Sequence, residues 1–485
     1  VLPRRGSADF ELDVRGLALD RLARVIQRED LGLGGTVDVS GRLGGTAAAP
    51  RFTGDIDAVG LEARNLSLDR VVGTVEYTDL DLDVGLDAWS RDIPVFRVDG
   101  RWPFSWSLDG SRRDVSDREV ALDLRADSLP VGLVLALLED LEDTRGTVSG
   151  VIEVGGTTSA LRPEGRLRLD DGAWTVGALG ARQEAVQATF DVRPDRTVLV
   201  EATGRSGGTV DVTGTITLDS LASPALDLDV RLASFNAVNR RDIAGAVSGE
   251  LELQGRYGQP RVLGSLQVDR GDLYLDEFAR NVGVVDLTDP RFAPYFDQDL
   301  LASRPLLAET RNPFMDNLLV SIDLAVARNT WLRSTQLNVE MQGDLLVTYD
   351  RRSRDVVLIG QLAAVRGQYQ FLGQSFEVEG GEVEFVGIAG INPNLSIQAA
   401  AQVRRRGADP LTIDAEVLGT LIEPRVTLST ADAAVSESDI LSYIAVGQPA
   451  SSLTTQPGSA LLGGGVSFIG GTLTSSLSSL AQSSG

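Results

Sequence analysis

The stretch Leu226-Asp-Leu-Asp-Val-Arg-Leu232 decides the fold class, because Leu226, Leu228, Val230 and Leu232 alternate strictly with Asp227, Asp229 and Arg231. A period of two places the four apolar side chains on one side of an extended chain and the charged ones on the other. The same pattern runs through Leu80, Leu82, Val84 and Leu86, set against Asp81, Asp83, Gly85 and Asp87. It returns at Leu318, Val320, Ile322, Leu324 and Val326, and at Ile413, Ala415 and Val417. Each run is a strand with one dry and one wet face, and the chain is mainly β.

Working outward, the glycines and prolines disclose a longer repeat: Gly35-Thr-Val to Pro50, Gly146-Thr-Val to Pro163, and Gly245-Ala-Val to Pro260. Each copy reads as a strand, a Gly-containing turn, the proline and a second strand, as in Arg261-Val-Leu-Gly-Ser-Leu-Gln-Val268. A period of about 100 residues is far longer than one rung of a tight β-helix. Each copy is therefore read as a cassette of several hairpins added to one growing sheet, roughly 30 strands in all at ordinary spacing. Helical spacing predicts short breaks in the sheet at Leu17 to Gln27 and Leu129 to Leu141. Asp289 to Asn312, with Pro290, Pro294 and Pro305, reads as loop plus short helix. Ser, Gly and Thr dominate from Pro449 to Gly485, which predicts a flexible end.

Composition excludes whole classes of function. The 42% hydrophobic and 24% charged residues suit a folded chain rather than a disordered or membrane-embedded one. A formal charge of -24 repels phosphate backbones, so nucleic acid is not expected as a partner. The chain has no His, Cys or Lys, which removes the imidazole base, the thiolate and the Schiff-base amine together with the usual zinc ligands. The expectation is a protein that is not an enzyme and uses no cofactor or metal.

The remaining motifs weigh against chemistry. Gly204-Arg-Ser-Gly-Gly208 fits a nucleophile-elbow pattern, but without histidine it reads as a turn. Asp79, Asp81 and Asp83 are spaced like calcium-loop ligands, yet the apolar residues between them keep strand alternation and Gly85 falls one place late. Carboxylates are so abundant that a pair spaced for glycoside hydrolysis carries no information. Trp102, Phe104 and Trp106 alternate and read as packing residues of one strand face. The apolar alternation itself admits two arrangements: dry faces closed on each other in a sandwich, or one sheet curled without closure whose apolar concave face stays available to a guest.

An ordered series over Gly367 to Gly447 resembles the conserved C-terminal domain of the TamB family of envelope proteins. Gly367-Gln-Tyr-Gln-Phe-Leu-Gly373 leads into Phe376-Glu-Val-Glu-Gly-Gly-Glu-Val-Glu-Phe385 and then Asn392-Pro-Asn-Leu-Ser-Ile-Gln-Ala399. Val417-Leu-Gly-Thr-Leu-Ile-Glu-Pro-Arg-Val-Thr-Leu-Ser429 follows, and Ser436-Glu-Ser-Asp-Ile-Leu-Ser-Tyr-Ile444 closes the block. The upstream cassettes look like the AsmA-type repeats of the same superfamily. Within the block, Tyr369 and Phe371 share a face with Phe376, Val383 and Phe385 continuing the alternation, and Gly380-Gly381 is read as a hairpin turn. Ser436 and Asp439 read as the capping box of a helix that could cover the sheet edge.

The resemblance implies a long curled groove, a β-taco, in the periplasm of a diderm bacterium. It implies an inner-membrane anchor outside this sequence, an outer-membrane TamA-like partner, and phospholipid acyl chains or other hydrophobic cargo. Assistance to insertion of outer-membrane β-proteins, or an adhesin-like solenoid, are the alternatives. The expected organisation is a groove of repeats over 1–315, the conserved domain over 316–447 and a tail over 448–485. Opening on Val1, the chain reads as a piece of a longer protein with an incomplete C terminus. The candidate lining is Leu80, Leu82, Val84, Leu86, Leu226, Leu228, Val230, Leu318, Val320, Ile322, Leu324, Val326, Tyr369, Phe371, Phe376, Val383 and Phe385.

Overall fold

Long alternating strands joined by tight turns pair most simply with their own neighbours in sequence, and this chain does so throughout. The computed structural model describes residues 8–19, 21, 33–63, 66–111, 113–135, 141–220, 223–274, 313–351, 355–388, 392–405, 409–420 and 423–449. Strand β1 (Ala8–Ala18) precedes β2 (Leu33–Gly45), β3 (Pro50–Ala63), β4 (Leu66–Thr78), β5 (Asp81–Ser90), β6 (Ile93–Pro103) and β7 (Ala121–Pro130). Helix α1 (Val131–Leu135) leads to β8 (Leu141–Thr157), β9 (Ala160–Val176), β10 (Ala181–Val192), β11 (Thr197–Ser206), β12 (Gly208–Thr217) and β13 (Ala225–Asn239). Then come β14 (Ile243–Arg256), β15 (Gln259–Tyr274), α2 (Pro313–Asp316), β16 (Leu319–Arg333), β17 (Leu337–Asp350), β18 (Asp355–Phe371) and β19 (Gln374–Val386). The series ends with β20 (Asn394–Val403), β21 (Leu411–Thr420), β22 (Pro424–Ser429) and α3 (Glu437–Val446).

The 22 strands of the described residues all belong to one sheet. Each pairs antiparallel with the strand before and after it, as in β2 with β3 and β8 with β9, except that β15 and β16 run parallel. Among the described residues β1 pairs only with β2 and β22 only with β21, so the sheet is open and does not close into a barrel. The Gly-to-Pro repeats are the hairpins β2–β3, β8–β9 and β14–β15, in which Pro50, Pro163 and Pro260 face Gly45, Val154 and Gly255. Successive copies lie six strands apart, which gives each cassette its content. The sheet runs on across the boundary expected at 315, through the parallel pair β15–β16.

Among the described residues 22 strands stand against the roughly thirty expected for the chain, and they are long, up to 17 residues against the usual five or six. At about 4.8 Å between neighbours the sheet still measures about 100 Å along its hydrogen-bonding direction.

The sheet curls toward its apolar side. Ser206 has the same parity as Val200, Ala202 and Gly204, so its buried hydroxyl is on that side, and it donates to the Asn236 carbonyl two strands away. At the same end the Asn239 N–H, just before the β13–β14 turn, donates to Leu179 O in the β9–β10 turn at 2.9 Å. The long ends of β10 and β13 thus meet over the short hairpin β11–β12. The first cassette repeats the device, since α1, which extends β7, approaches β4. Glycines on the apolar side permit the bend: Gly214 has φ +146, and a Cβ there would stand 2.2 Å from Asp227 O on the next strand. No residue with a side chain fits that approach.

Several local expectations are corrected. Leu80 is not part of a strand: Asp79 and Leu80, both at positive φ, form the two-residue β4–β5 turn, where Leu80 is buried and its carbonyl accepts from Phe104 N–H. Gly380-Gly381 is not a turn either. It lies within β19 at a bulge against β20, and the β18–β19 turn is Leu372-Gly373, again both at positive φ. The helix expected over Leu129 to Leu141 is only Val131–Leu135 in the described residues, because β7 takes Leu129 and Pro130 and β8 takes Leu141. Of the three aromatics at 102–106, only Trp102 is in strand β6. Phe104 is exposed, and Trp106 packs edge-on against Tyr77 at 5.3 Å. Leu17 and Ala18 belong to β1, whereas most of the first expected helix, the segment Asp289 to Asn312 and residues 450–485 lie outside the described residues.

Candidate functional site

Register decides which side chains share a face, and it joins the candidate lining residues across the sheet. Leu82, Val84 and Leu86 of β5 stand beside Trp102, Gly100 and Val98 of β6. Leu226, Leu228 and Val230 of β13 face Ile216, Gly214 and Val212 on one side and Gly255, Leu253 and Leu251 on the other. Leu253 faces Val262, which faces Val320, which faces Tyr349. Leu251 likewise leads through Gly264 to Ile322, Val347 and Leu358. Leu324 leads through Leu345 and Gly360 to Phe385, and Val326 through Gly343 and Leu362 to Val383. Tyr369 faces Phe376, and the Phe371 ring lies 6.4 Å from Tyr369 and 6.5 Å from Phe376. Leu318, of the same parity, stands just before β16.

Burial separates this face from an ordinary core. Leu82, Val84, Leu86, Leu226, Leu228, Val230, Val320, Ile322 and Leu324 are all half-buried, whereas Asp227, Asp229 and Asp323 between them are exposed. A second sheet packed on this side would bury such residues almost completely, so the sandwich arrangement does not hold. Buried apolar clusters form at three places only among the described residues. Val131 of α1 sits on Val148, Leu169, Val186 and Ala188; Val339, Met341 and Ala364 form a second cluster; and Ile440 and Ile444 of α3 sit on Phe376, Ala401, Val403, Leu411 and Ile413. Burial pushes the Tyr369 hydroxyl pKa up, as expected on the dry side.

The lining also includes residues outside the candidates read from the sequence: Leu167, Phe190, Val198 and Val200 on β9 to β11, the inward glycines, and Ala399 near the far end. A signal exists for the glycines, since Val212-x-Gly214-x-Ile216 keeps the apolar parity with Gly in place of a large residue.

On the opposite face acids pair with arginines from the neighbouring strand or, for Arg113 and Arg118, from the connection between β6 and β7. Asp83 accepts from Arg101 at 2.9 Å and Asp81 from Arg118 at 2.7 Å, while Asp79 is 3.7 Å from Arg113, so the spacing that suggested a calcium loop is an ion-pair row. The Arg70 hydrogen bond holds the Asp57 carboxyl below its ordinary range. Glu340, buried beneath Arg366, is lowered by that guanidinium and by the Asn329 N–H. A depression of ≈ 570 Å³ also opens on this wet face, among Gln267, Gln342, Asp344, Gln361 and Glu382. Its lining mixes these polar side chains with Ala325, Val326 and Ala363, whereas the apolar lining itself is a trough rather than a pocket. Among the described residues no group of three or more acids is arranged to hold a metal, and no helix is long and apolar enough to cross a membrane.

Among the described residues one sheet, open at both edges, with a continuous dry face on the inside of its curl and a charged outer face, defines an apolar β-groove of the β-taco class. Residues 196–484 match the TamB C-terminal domain family, and the chain belongs to that family. Comparison with curated proteins finds no match. Membership places its role in biogenesis of the bacterial envelope and outer membrane, on the periplasmic side, in a family that works with an outer-membrane partner.

Proposed function

We propose that the groove shields phospholipid acyl chains on their way between the inner and outer membranes, without catalysis and without a cofactor. The supporting observation is the unbroken apolar face, which passes from strand to strand in register and stays half-buried rather than closed. Each methylene taken from water onto such a face gains about 0.8 kcal/mol, and nearly equal gain at each point permits sliding. The AsmA-like character of the upstream cassettes, a membrane anchor outside this sequence and a TamA-like partner complete the proposal.

The test is to place a photocrosslinker at Leu228 and Ile322, and in parallel at Asp229 and Asp323 on the outer face. Acyl chains are expected to label the first pair only. Equal labelling of the two faces would remove the support for a conduit. A second reading, shelter of a β-protein client by strand addition, is favoured by one observation: β22 pairs only with β21 among the described residues. Client peptides crosslinking along β22 in place of lipid at Leu228 would favour it.

A further inference from the structure

We infer that α3 is a displaceable stopper, seated where a hydrophobic guest would bind at the C-terminal end of the groove. This rests on the reading of the groove as a guest-binding face. Ile440 and Ile444, 3% and 1% exposed, lie one turn apart on α3 and press on Phe376, Val403, Leu411 and Ile413. That surface is no separate core. Phe376 faces Tyr369, Val378 faces Ala399, Ala399 faces Ala415 and Ala415 faces Leu428, so the face beneath α3 continues the half-buried upstream lining.

Ala399, Ala401 and Ala415 lie beside Phe376, Val403, Leu411 and Ile413, and the two isoleucines of the helix pack into the surface these residues form. A helix of 10 residues is too short to hold its form alone in water, so its order depends on this seat. The polar ties lie at its ends and on its tether. Ser436 caps Asp439 N–H, the Gly447 N–H donates to Tyr443 O, and Arg405 holds Asp432 at 2.8 Å. The span from Ser429 at the end of β22 to Ser436 is short, so a released helix stays beside the groove. Helix and acyl chain offer the same apolar chemistry to one trough and exclude each other there.

The absence of cysteine from the sequence makes a single introduced thiol a clean reporter. Ser442→Cys puts a nearly isosteric thiol at a buried position of α3, away from the Ile440 and Ile444 face and where the native hydroxyl donates to Gln448 O. Its exposure therefore reports loss of the helix once it leaves its seat, and Val120→Cys reports general opening, the two native positions being 7% and 1% exposed. Thiol modification is followed in the full chain with and without monomeric palmitoyl lysophosphatidylcholine, with the Leu228 photocrosslinker reporting binding. The expected result is labelling at Leu228, modification of Ser442→Cys faster by about tenfold or more, and no change at Val120→Cys. Labelling at Leu228 with Ser442→Cys still protected would make α3 a fixed wall and overturn the inference. No labelling at Leu228 would instead overturn the groove reading beneath it. If Ser442→Cys does not fold, hydrogen exchange at Ile440 to Ile444 of the unaltered chain decides. Acceleration by the lipid supports displacement, and unchanged exchange with bound lipid refutes it.

Discussion

The middle of the sheet and its C-terminal end are written in the same alternating code and end in different environments. At β13, Leu226, Leu228 and Val230 remain half-buried, while on β20 and β21 Val403, Leu411 and Ile413 of matching parity are 1%, 2% and 0% exposed. The difference is α3, which covers the second set and not the first. Parity tells which way a side chain points. Whether water or protein lies beyond is decided by segments distant in sequence.

The largest expected contrast comes from a charge placed in each region. Ile413→Asp buries a carboxylate under α3 and is expected to destabilise by about 4 kcal/mol or more, measured by denaturant unfolding. Leu228→Asp faces an open trough where water reaches the carboxylate, so its cost is expected to be about 1–2 kcal/mol while acyl labelling nearby is lost. Similar stability losses at the two sites would erase the distinction.

Truncation sharpens the same comparison with less disturbance. Ile444→Ala removes fully buried methyl groups and is expected to cost about 2–5 kcal/mol at the α3 end. Leu228→Ala removes surface already half exposed and is expected to cost less than about 1.5 kcal/mol. Hydrogen exchange would show whether the first loss is confined to α3 and β20 to β22.

Glycines divide in a related way. Gly214→Ala brings a Cβ against Asp227 O and requires φ +146 of a residue with a side chain, at an expected cost of about 1–3 kcal/mol and a locally flatter sheet. A Cβ at Gly380 meets nothing within 4 Å, so Gly380→Ala is expected to change stability by less than about 0.5 kcal/mol. Thermal unfolding of the two variants is sufficient to compare them.

How much was legible follows from these same residues. The mainly β class, the dry face through Leu228 and Ile322, and the Gly-to-Pro hairpins could be read because period two and turn chemistry are local. The caps of α3 at Ser436 and Gly447 are local as well, but its target is not: the helix approaches the edge strand β22 and also lies on the face beneath Ile440 and Ile444. Gly380-Gly381 misled because a glycine required by close strand approach looks in sequence like a glycine required by a turn. Asp79-Leu80 hid its turn because the leucine kept the alternation across it. Strand length was not legible, because it depends on how far partners extend, which no single strand encodes.

The smallest expected difference concerns acid. The Arg405 hydrogen bond, followed by the Ala434 N–H, lowers the Asp432 carboxyl below its ordinary value, and Arg70 lowers Asp57 in the open sheet by the same means. A folded-state value below the unfolded one stabilises at neutral pH, and that contribution disappears as pH falls from about 3.9 through the lowered value. Both pairs therefore weaken in acid, but their consequences differ. Asp57 and Arg70 join strands already held by a continuous backbone ladder between β3 and β4, so Asp57→Asn is expected to leave exchange there unchanged. Asp432 stands on the tether of a helix seated through one face, so Asp432→Asn at neutral pH is expected to raise exchange at Ile440 to Ile444 by roughly two- to fivefold. Lowering the pH of the unaltered chain toward that range should loosen α3 before β3 and β4, once exchange is corrected for its intrinsic pH dependence. Simultaneous loosening of both regions would mean that the helix is held as firmly as the sheet, and the contrast between the two ends would rest on burial alone.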